Sequence, residues 1–163
     1  MKHIAVILTL LAPAAPSLAE EASPFAGWGE SSGSLPPEYA WEYTVTFRED
    51  RSVTVEYCKG YANAAPGCAT ISRRLSKSQL AALHEALDPL AAPMAENPPQ
   101  PDPNPPIGGG AAWAWVNVAG EDIRLPAFPI DQDHARVKAV LALLQDHTPK
   151  NAIATAERRA KAP

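Results

Sequence analysis

Polar and apolar side chains alternate along three short segments of the chain, residues 41–47, 52–58 and 68–74. Alternation with a period of two residues is typical of strands that bury one face of a sheet. The charged residues 48–51 lie between the first two segments and predict a turn there. The three segments therefore predict three consecutive antiparallel strands. Their predicted inward positions are Trp41, Tyr43, Val45, Phe47, Val53, Val55, Tyr57 and Ile71.

Leucines recur at helical spacing in the segment LSKSQLAALHEAL, which begins at Leu75. Ser76 and Gln79 predict a capping box, in which each side chain bonds to the backbone N–H of the other residue. Leu75 precedes this cap and predicts a hydrophobic staple with Leu80. Because proline disfavours helical conformation at the residue before it, Pro89 predicts that the helix stops there. The predicted buried stripe consists of Leu80, Leu83, Leu87 and Leu90.

A second hairpin and a second helix are predicted in the C-terminal half of the chain. Residues 111–128 read AAWAWVNVAGEDIRLPAF, with a predicted turn at 119–122. Pro126 is typical of a short strand or of a strand at the edge of a sheet. Asp131 is the predicted N-cap of the last helix, and Pro149 is its predicted stop. The apolar positions of this helix are Val137, Val140, Leu141 and Leu144.

These elements predict a single α+β domain over residues 38–148 with the order β-β-β-α-β-β-α. We expect an antiparallel sheet of about five strands with two helices packed on one face. Residues 20–37 are rich in Ser, Gly, Pro and Ala and predict an unstructured lead. The proline-rich residues 96–110 predict an extended linker. The basic, alanine-rich residues 149–163 predict a disordered tail, with a frayed helix as the alternative.

The N-terminal residues have the pattern of a cleaved secretory signal peptide. Lys2 precedes a short apolar run, two prolines follow this run, and small residues lead to Ala19. The apolar run is too short to span a bilayer as a stable helix, and no later stretch is long and apolar enough to do so. We therefore predict a signal peptide over residues 1–19 and a periplasmic or secreted protein. The alternative is an apolar core helix at this position.

Cys58 and Cys68 are the two cysteines of the chain. Disulfide bonds persist in exported proteins, so an even pair in such a chain predicts one bond. Neither a CxxC redox motif nor the further ligands of a zinc site accompany them. Strand alternation places both cysteines on the polar face of the sheet. The predicted bond therefore clamps the base of the loop from Lys59 to Gly67.

The net charge of the chain and the lack of known catalytic motifs argue against several classes of function. The formal net charge is −4, and loss of Lys2 with the signal peptide makes it more negative, which argues against nucleic acid as a partner. No GxSxG or SxxK nucleophile motif occurs, and the three glycines at 108–110 lack the lysine of a phosphate-binding loop. Asp131, Asp133 and His134 are interpreted as helix-terminal residues, and His84 as a partner of Asp88. We expect no enzyme activity, no cofactor, no metal and a monomer.

Two surfaces are candidates for binding a partner. The first is the clamped loop, where Lys59 lies between Tyr57 and Tyr61. A constrained loop loses less conformational entropy when it binds, although the bond is also explained as a stabilising link alone. The second is Trp113 and Trp115, which share one face of a strand. We predict that these tryptophans are core, since large aromatic residues are mostly buried; the alternative places them on an open sheet face.

The layout of a hairpin, the helix LSKSQLAAL, a second hairpin and a terminal amphipathic helix resembles the emfourins, small bacterial inhibitors of thermolysin-like proteases. This resemblance covers residues 41–147 and carries no inhibitory residue across. It implies a protein without catalytic activity that blocks a metalloprotease. The signal peptide, the cysteine pair and the proline-rich linker depart from the compact pattern of that family.

The sequence as a whole predicts an exported protein that binds another protein and catalyses no reaction. An extracytoplasmic protease is the partner that the emfourin resemblance implies. The alternative function is a carbohydrate-binding module or a hydrolase that uses the face of Trp113 and Trp115.

Overall fold

The computed structural model describes residues 22–60 and 67–162, which form a six-stranded antiparallel sheet and three α-helices. The α+β class is therefore confirmed. The strands are β1 (Pro24–Ser31), β2 (Trp41–Arg48), β3 (Ser52–Lys59), β4 (Gly67–Arg74), β5 (Ala111–Val118) and β6 (Glu121–Leu125). The helices are α1 (Lys77–Glu96), α2 (Asp131–His147) and α3 (Ala152–Ala160). The predicted signal peptide lies outside the described residues, and no described helix is long and apolar enough to cross a membrane.

The strand order is β4-β3-β2-β1-β5-β6, and every neighbouring pair is antiparallel. The predicted hairpins β2–β3, β3–β4 and β5–β6 are confirmed. β6 lies at an edge of the sheet, as Pro126 indicated. The turn before β6 is made by Ala119 and Gly120, which both have a positive φ (53° and 91°). A positive φ at both central residues matches the right-handed twist of a hairpin.

Strand β1 corrects the prediction that residues 20–37 are unstructured. It lies in the interior of the sheet and pairs with β2 on one side and with β5 on the other. Trp28 is buried, and its Nε1 donates a hydrogen bond of 2.9 Å to Thr148 Oγ1 beyond the end of α2. The sequence signal was weak because glycines are depleted in strands generally. In β1, pairing with a strand on each side stabilises the extended conformation that the glycines themselves do not favour.

The core lies between the helices and one face of the sheet, which we call the helix face. All of the predicted inward positions of β2, β3 and β4 point to it, and except for the partly buried Trp41 they are buried. Trp41, Tyr43 and Tyr57 stack on this face with nearly parallel rings, at centroid distances of 5.7 Å and 6.3 Å between neighbours. Burial raises the pKa of the Tyr57 phenol, as expected for a side chain removed from water.

Helix α1 begins as predicted and ends later than predicted. Ser76 Oγ accepts a hydrogen bond from Gln79 N, and Gln79 Oε1 accepts one from Ser76 N, so the capping box is confirmed. The helix continues through Pro89 and Pro93, so the predicted stop at Pro89 is wrong. The extra turns bury Met94, which leaves 1% of its surface exposed. This packing offsets the backbone hydrogen bonds that the prolines cannot donate.

Helix α2 has a different N-terminus from the one predicted. Ile130 is the N-cap, so Asp131 is the first helical residue and makes no side-chain cap. Asp133 is buried and accepts hydrogen bonds from Gln100 N at 2.7 Å and from Arg136 at 2.6 Å. The backbone donor and then the guanidinium lower the pKa of Asp133. This carboxylate attaches the proline-rich segment to α2.

Helix α3 corrects the prediction of a disordered tail over residues 149–163. Ala152 and Ala156 are fully buried, and α3 packs against β3 and β4 on the helix face. Tyr57 shares a small surface cleft with Ile153, Glu157 and other residues around α3. A stripe of alanines at a spacing of four residues gives little apolar signal in the sequence, because alanine contributes little hydrophobicity. The domain therefore extends beyond the predicted bounds 38–148 at both ends.

The disulfide between Cys58 and Cys68 is present and joins two residues that are directly paired in β3 and β4. Cys58 is also paired with Glu42 of β2, which points away from the helices. The bond therefore lies on the polar face at the base of the loop, as predicted. Residues 61–66 of this loop lie outside the described residues.

Replacement of both cysteines by alanine is expected to lower the free energy of unfolding by roughly 2.5–3 kcal/mol, because the bond closes a short loop. Urea denaturation of the oxidised protein and of the double variant measures this difference. The wild-type protein under reducing conditions should match the variant. Equal midpoints for all three samples would show that the bond contributes nothing to stability.

Candidate functional site

The sheet has a second face that no described helix covers, which we call the open face. Strand pairing places rows of side chains on it, each running across the sheet from β5 to β4. One row is Trp115, Gly27, Thr46, Thr54 and Ser72, and the next is Trp113, Gly29, Thr44, Glu56 and Thr70. Trp113 and Trp115 are thus on the opposite side of β5 from the buried Ala114 and Val116. The prediction that these two tryptophans are core is wrong.

The tryptophans occupy the open face because β1 carries glycines opposite them. Trp115 pairs with Gly27 and Trp113 with Gly29, whereas Ala114 pairs with Trp28 on the helix face. A Cβ added at Gly27 would lie 2.5 Å from Trp115 Nε1, and one added at Gly29 would lie 2.6 Å from Trp113 Cζ2. The indoles therefore lie directly over backbone that has no side chains, and they are half-buried there.

A groove of about 610 Å³ runs along the two tryptophans. Its remaining walls come from β6 and from the proline-rich segment, which crosses beside β6 through a bridge between Pro101 and Pro129. The groove is lined by Pro99, Pro101, Trp113, Ala114, Trp115, Asp122, Arg124, Leu125 and Pro126. The segment predicted to be a simple linker therefore forms part of the site.

Polar groups stand beside the aromatic floor of the groove. Arg124 is paired with Trp115 across β5 and β6 and is exposed. Within the described residues its guanidinium makes no hydrogen bond or ion pair, so its donors are available to a ligand. Asp122 accepts a hydrogen bond of 2.7 Å from Asn117 Nδ2, and this contact orients its carboxylate at the end of the groove. A ligand can thus be stacked and hydrogen-bonded at the same place.

Of the predicted loop site, the structure describes Tyr57 and Lys59. Tyr57 is buried under α3, with 4% of its surface exposed, and is not available to a partner. Lys59 is exposed at the end of β3, and Tyr61 lies outside the described residues. The disulfide shares the open face with the tryptophans, but β1 and β2 separate Cys58 from β5. The two candidate surfaces are therefore distinct.

Histidines and carboxylates are the other side chains of the chain that could carry chemistry. No group of three or more His, Cys, Asp or Glu residues within 22–60 and 67–162 is arranged to hold a metal ion. His84 Nε2 forms its ion pair with Glu49 Oε2, at 3.4 Å, and not with the expected partner Asp88, and the His84 ring contacts Phe25 at a centroid distance of 4.3 Å. These contacts connect α1 to the sheet. His134 is exposed on α2.

Sequence reasoning identified the two tryptophans as site candidates and missed the glycines that expose them. The sequence does contain a signal for the pairing of these two strands, because GWG at 27–29 is complementary in side-chain size to WAW at 113–115. Antiparallel pairing of large with small residues fills both faces of the two strands. Arg124, Asp122 and the prolines of the groove had no local signal, because only the tertiary structure brings them beside the tryptophans.

The Gly27→Ala variant is expected to be destabilised by about 1–3 kcal/mol, since its new methyl group overlaps Trp115. Thermal or urea denaturation gives the free energy of unfolding, and tryptophan fluorescence reports the displaced indole. Adding Trp115→Ala should recover part of the loss. Recovery should be partial because Val45 O lies 2.8 Å from the same methyl position. Strict additivity of the two changes would contradict the proposed contact.

Comparison with known proteins finds no family model that matches this chain and no curated protein with significant similarity to it. Its function is therefore inferred from the geometry of the molecule.

Proposed function

We propose that this chain is an exported binding protein without catalytic activity and that its ligand site is the groove of Trp113 and Trp115. The observation that supports this proposal is the placement of both indoles on the open face, over Gly27 and Gly29. Aromatic side chains that combine an apolar body with a polar tip are enriched where proteins bind partners.

Export is the second part of the proposal. The disulfide between Cys58 and Cys68 fits an oxidising compartment, since such bonds are rare in the cytosol. The signal-peptide pattern of residues 1–19 supports the same location. The periplasm and the external medium are both oxidising, so both fit the bond.

Replacement of Trp113 or Trp115 by alanine is expected to weaken binding to the cell-envelope fraction by at least about 1–2 kcal/mol, because each change removes an aromatic contact. Co-sedimentation of the mature protein with envelope material from its own cells measures this binding. Tyr39→Ala is the matched control, since Tyr39 is an exposed aromatic residue outside the groove, with 68% of its surface exposed. Unchanged thermal stability of the tryptophan variants separates lost binding from unfolding. Equal binding by all variants would refute the proposed site.

Protease inhibition is a second candidate, supported by the position of the disulfide. The bond joins directly paired residues at the base of the loop, which restrains both of its ends. A restrained loop suits an inhibitor because little entropy is lost on binding. Incubation with a thermolysin-like metalloprotease should then slow peptide cleavage, and Lys59→Ala should restore it. Full protease activity at a large excess of the protein would remove this candidate.

A further inference from the structure

We infer that the ligand of the open face is a carbohydrate chain, which stacks on Trp113 and Trp115 and extends across the strands toward β4. This inference rests on the proposed binding role of the open face. It adds the chemical class of the ligand and the direction in which the ligand lies.

The residues that continue the two tryptophan rows are suited to bind a sugar. Beyond the glycines of β1, these rows contain mostly hydroxyl side chains: Thr44, Thr46, Thr54, Thr70 and Ser72. A hydroxyl group both donates and accepts hydrogen bonds, which matches the hydroxyl groups of a sugar. Neighbouring strands are about 4.8 Å apart, so each row offers polar groups at a regular spacing.

The surface around the tryptophans is also complementary to a sugar ring. A pyranose ring has a face of C–H groups and a rim of hydroxyl groups. The C–H face fits against the π-face of an indole, while the rim needs donors and acceptors nearby. Arg124 and Asp122 supply these beside the tryptophans. Threonine is also stiff about χ1, so it loses little conformational freedom when a ligand binds.

The residues that border the tryptophans favour a glycan over a protein partner. The buried centre of a protein interface is apolar, enriched in aromatic residues and Arg, and depleted of Asp, Glu and Ser. On the open face the two tryptophans are bordered by Arg124 and Asp122 on one side and by hydroxyl rows on the other. Charged residues of both signs occur on this face, among them Arg48 and Glu56, so it is not matched to a polyanion. A sugar, which is polar but has apolar ring faces, fits this arrangement of aromatic, charged and hydroxyl side chains better than a protein partner does.

The test uses the mature protein and envelope material that has been extracted with organic solvent and digested with proteinase, which leaves polysaccharide. The wild-type protein is expected to sediment with this material. Oligosaccharides released from it by partial acid hydrolysis should compete for binding. Trp115→Ala and Arg124→Ala should each weaken binding by about 10-fold or more. Thr46→Val keeps the side-chain shape and removes one hydroxyl, and should weaken binding by about 3- to 10-fold. Tyr39→Ala should bind as the wild type does.

Two outcomes would overturn the inference. If binding to untreated envelope depends on the tryptophans and disappears after proteinase digestion, the partner is a protein; the proposed function then stands and the glycan is wrong. If binding survives digestion but is unchanged in Trp115→Ala and Arg124→Ala, a glycan binds elsewhere, and both the inferred site and the proposed function fail. Arg124 is exposed on the edge strand β6, so its replacement tests the site even if the tryptophan variant does not fold.

Discussion

The Leu83→Ala variant is expected to lose about 2–5 kcal/mol of unfolding free energy, the usual range when a fully buried leucine is truncated. Leu83 lies in the middle of α1 and has no exposed surface. Its removal leaves a cavity between α1 and the sheet that the surrounding side chains fill only in part. Such a loss is a large share of the stability of a small domain.

Urea denaturation measures this loss as a lower midpoint with an unchanged slope. Leu80→Ala is the matched control: it is the same substitution on the same helix, but Leu80 is only partly buried. It should therefore cost clearly less. If Leu83→Ala were as stable as the wild type, α1 would not present Leu83 to the sheet, and the packing described for this helix would be wrong.

The Ala156→Glu variant is expected to lose about 3–5 kcal/mol, because it places an unpaired carboxylate at a fully buried position. The loss cannot exceed the free energy with which α3 binds to the sheet, because α3 can detach and expose the new carboxylate to water. We therefore expect α3 to separate from β3 and β4 while the rest of the domain stays folded. Tyr57 then becomes accessible to solvent.

Limited proteolysis detects this separation, because Arg158 and Arg159 become cleavable by trypsin once α3 leaves the sheet. Amide hydrogen exchange should rise in α3 and along the neighbouring edge strand β4. Ala154→Glu is the matched control, since Ala154 lies on the same helix and is exposed. If the two variants behaved alike, residues 152–160 would contribute nothing to the fold, and the sequence-based expectation of a disordered tail would be right after all.

Several parts of the fold were predictable because the responsible interactions are local. The capping box of Ser76 and Gln79 involves residues three positions apart. The alternation of β2 and β3 is equally short in range. The cysteine pair predicts one contact between two neighbouring strands. Strand alternation then places the disulfide on the polar face of the sheet.

The errors share a different physical origin. Pro89 predicts a helix end from local backbone energy, yet the burial of Met94 keeps the helix intact. Strand β1 has glycine at alternate positions and helix α3 consists mostly of alanine and charged residues, so local preference and hydrophobicity predict neither element. Their stability comes from what they contact. Neighbouring strands hold β1, and the surface of β3 and β4 holds α3.

At the candidate site, the alternation of residues along β5 can be read from the sequence, whereas the face that each side chain occupies depends on the tertiary structure. The sequence alone shows that β5 alternates two tryptophans with small and branched residues, and that Cys58 and Cys68 are both available for one bond. Both faces of β5 are apolar, so its periodicity does not say which one meets the helices. The pairing with β1 determines which face of β5 meets the helices. Gly27 and Gly29 leave room for indoles on the open face, and Ala114 leaves room for Trp28 on the helix face. The sidedness of a strand depends on the volumes of the side chains paired with it, and those belong to a segment about 85 residues earlier in the chain.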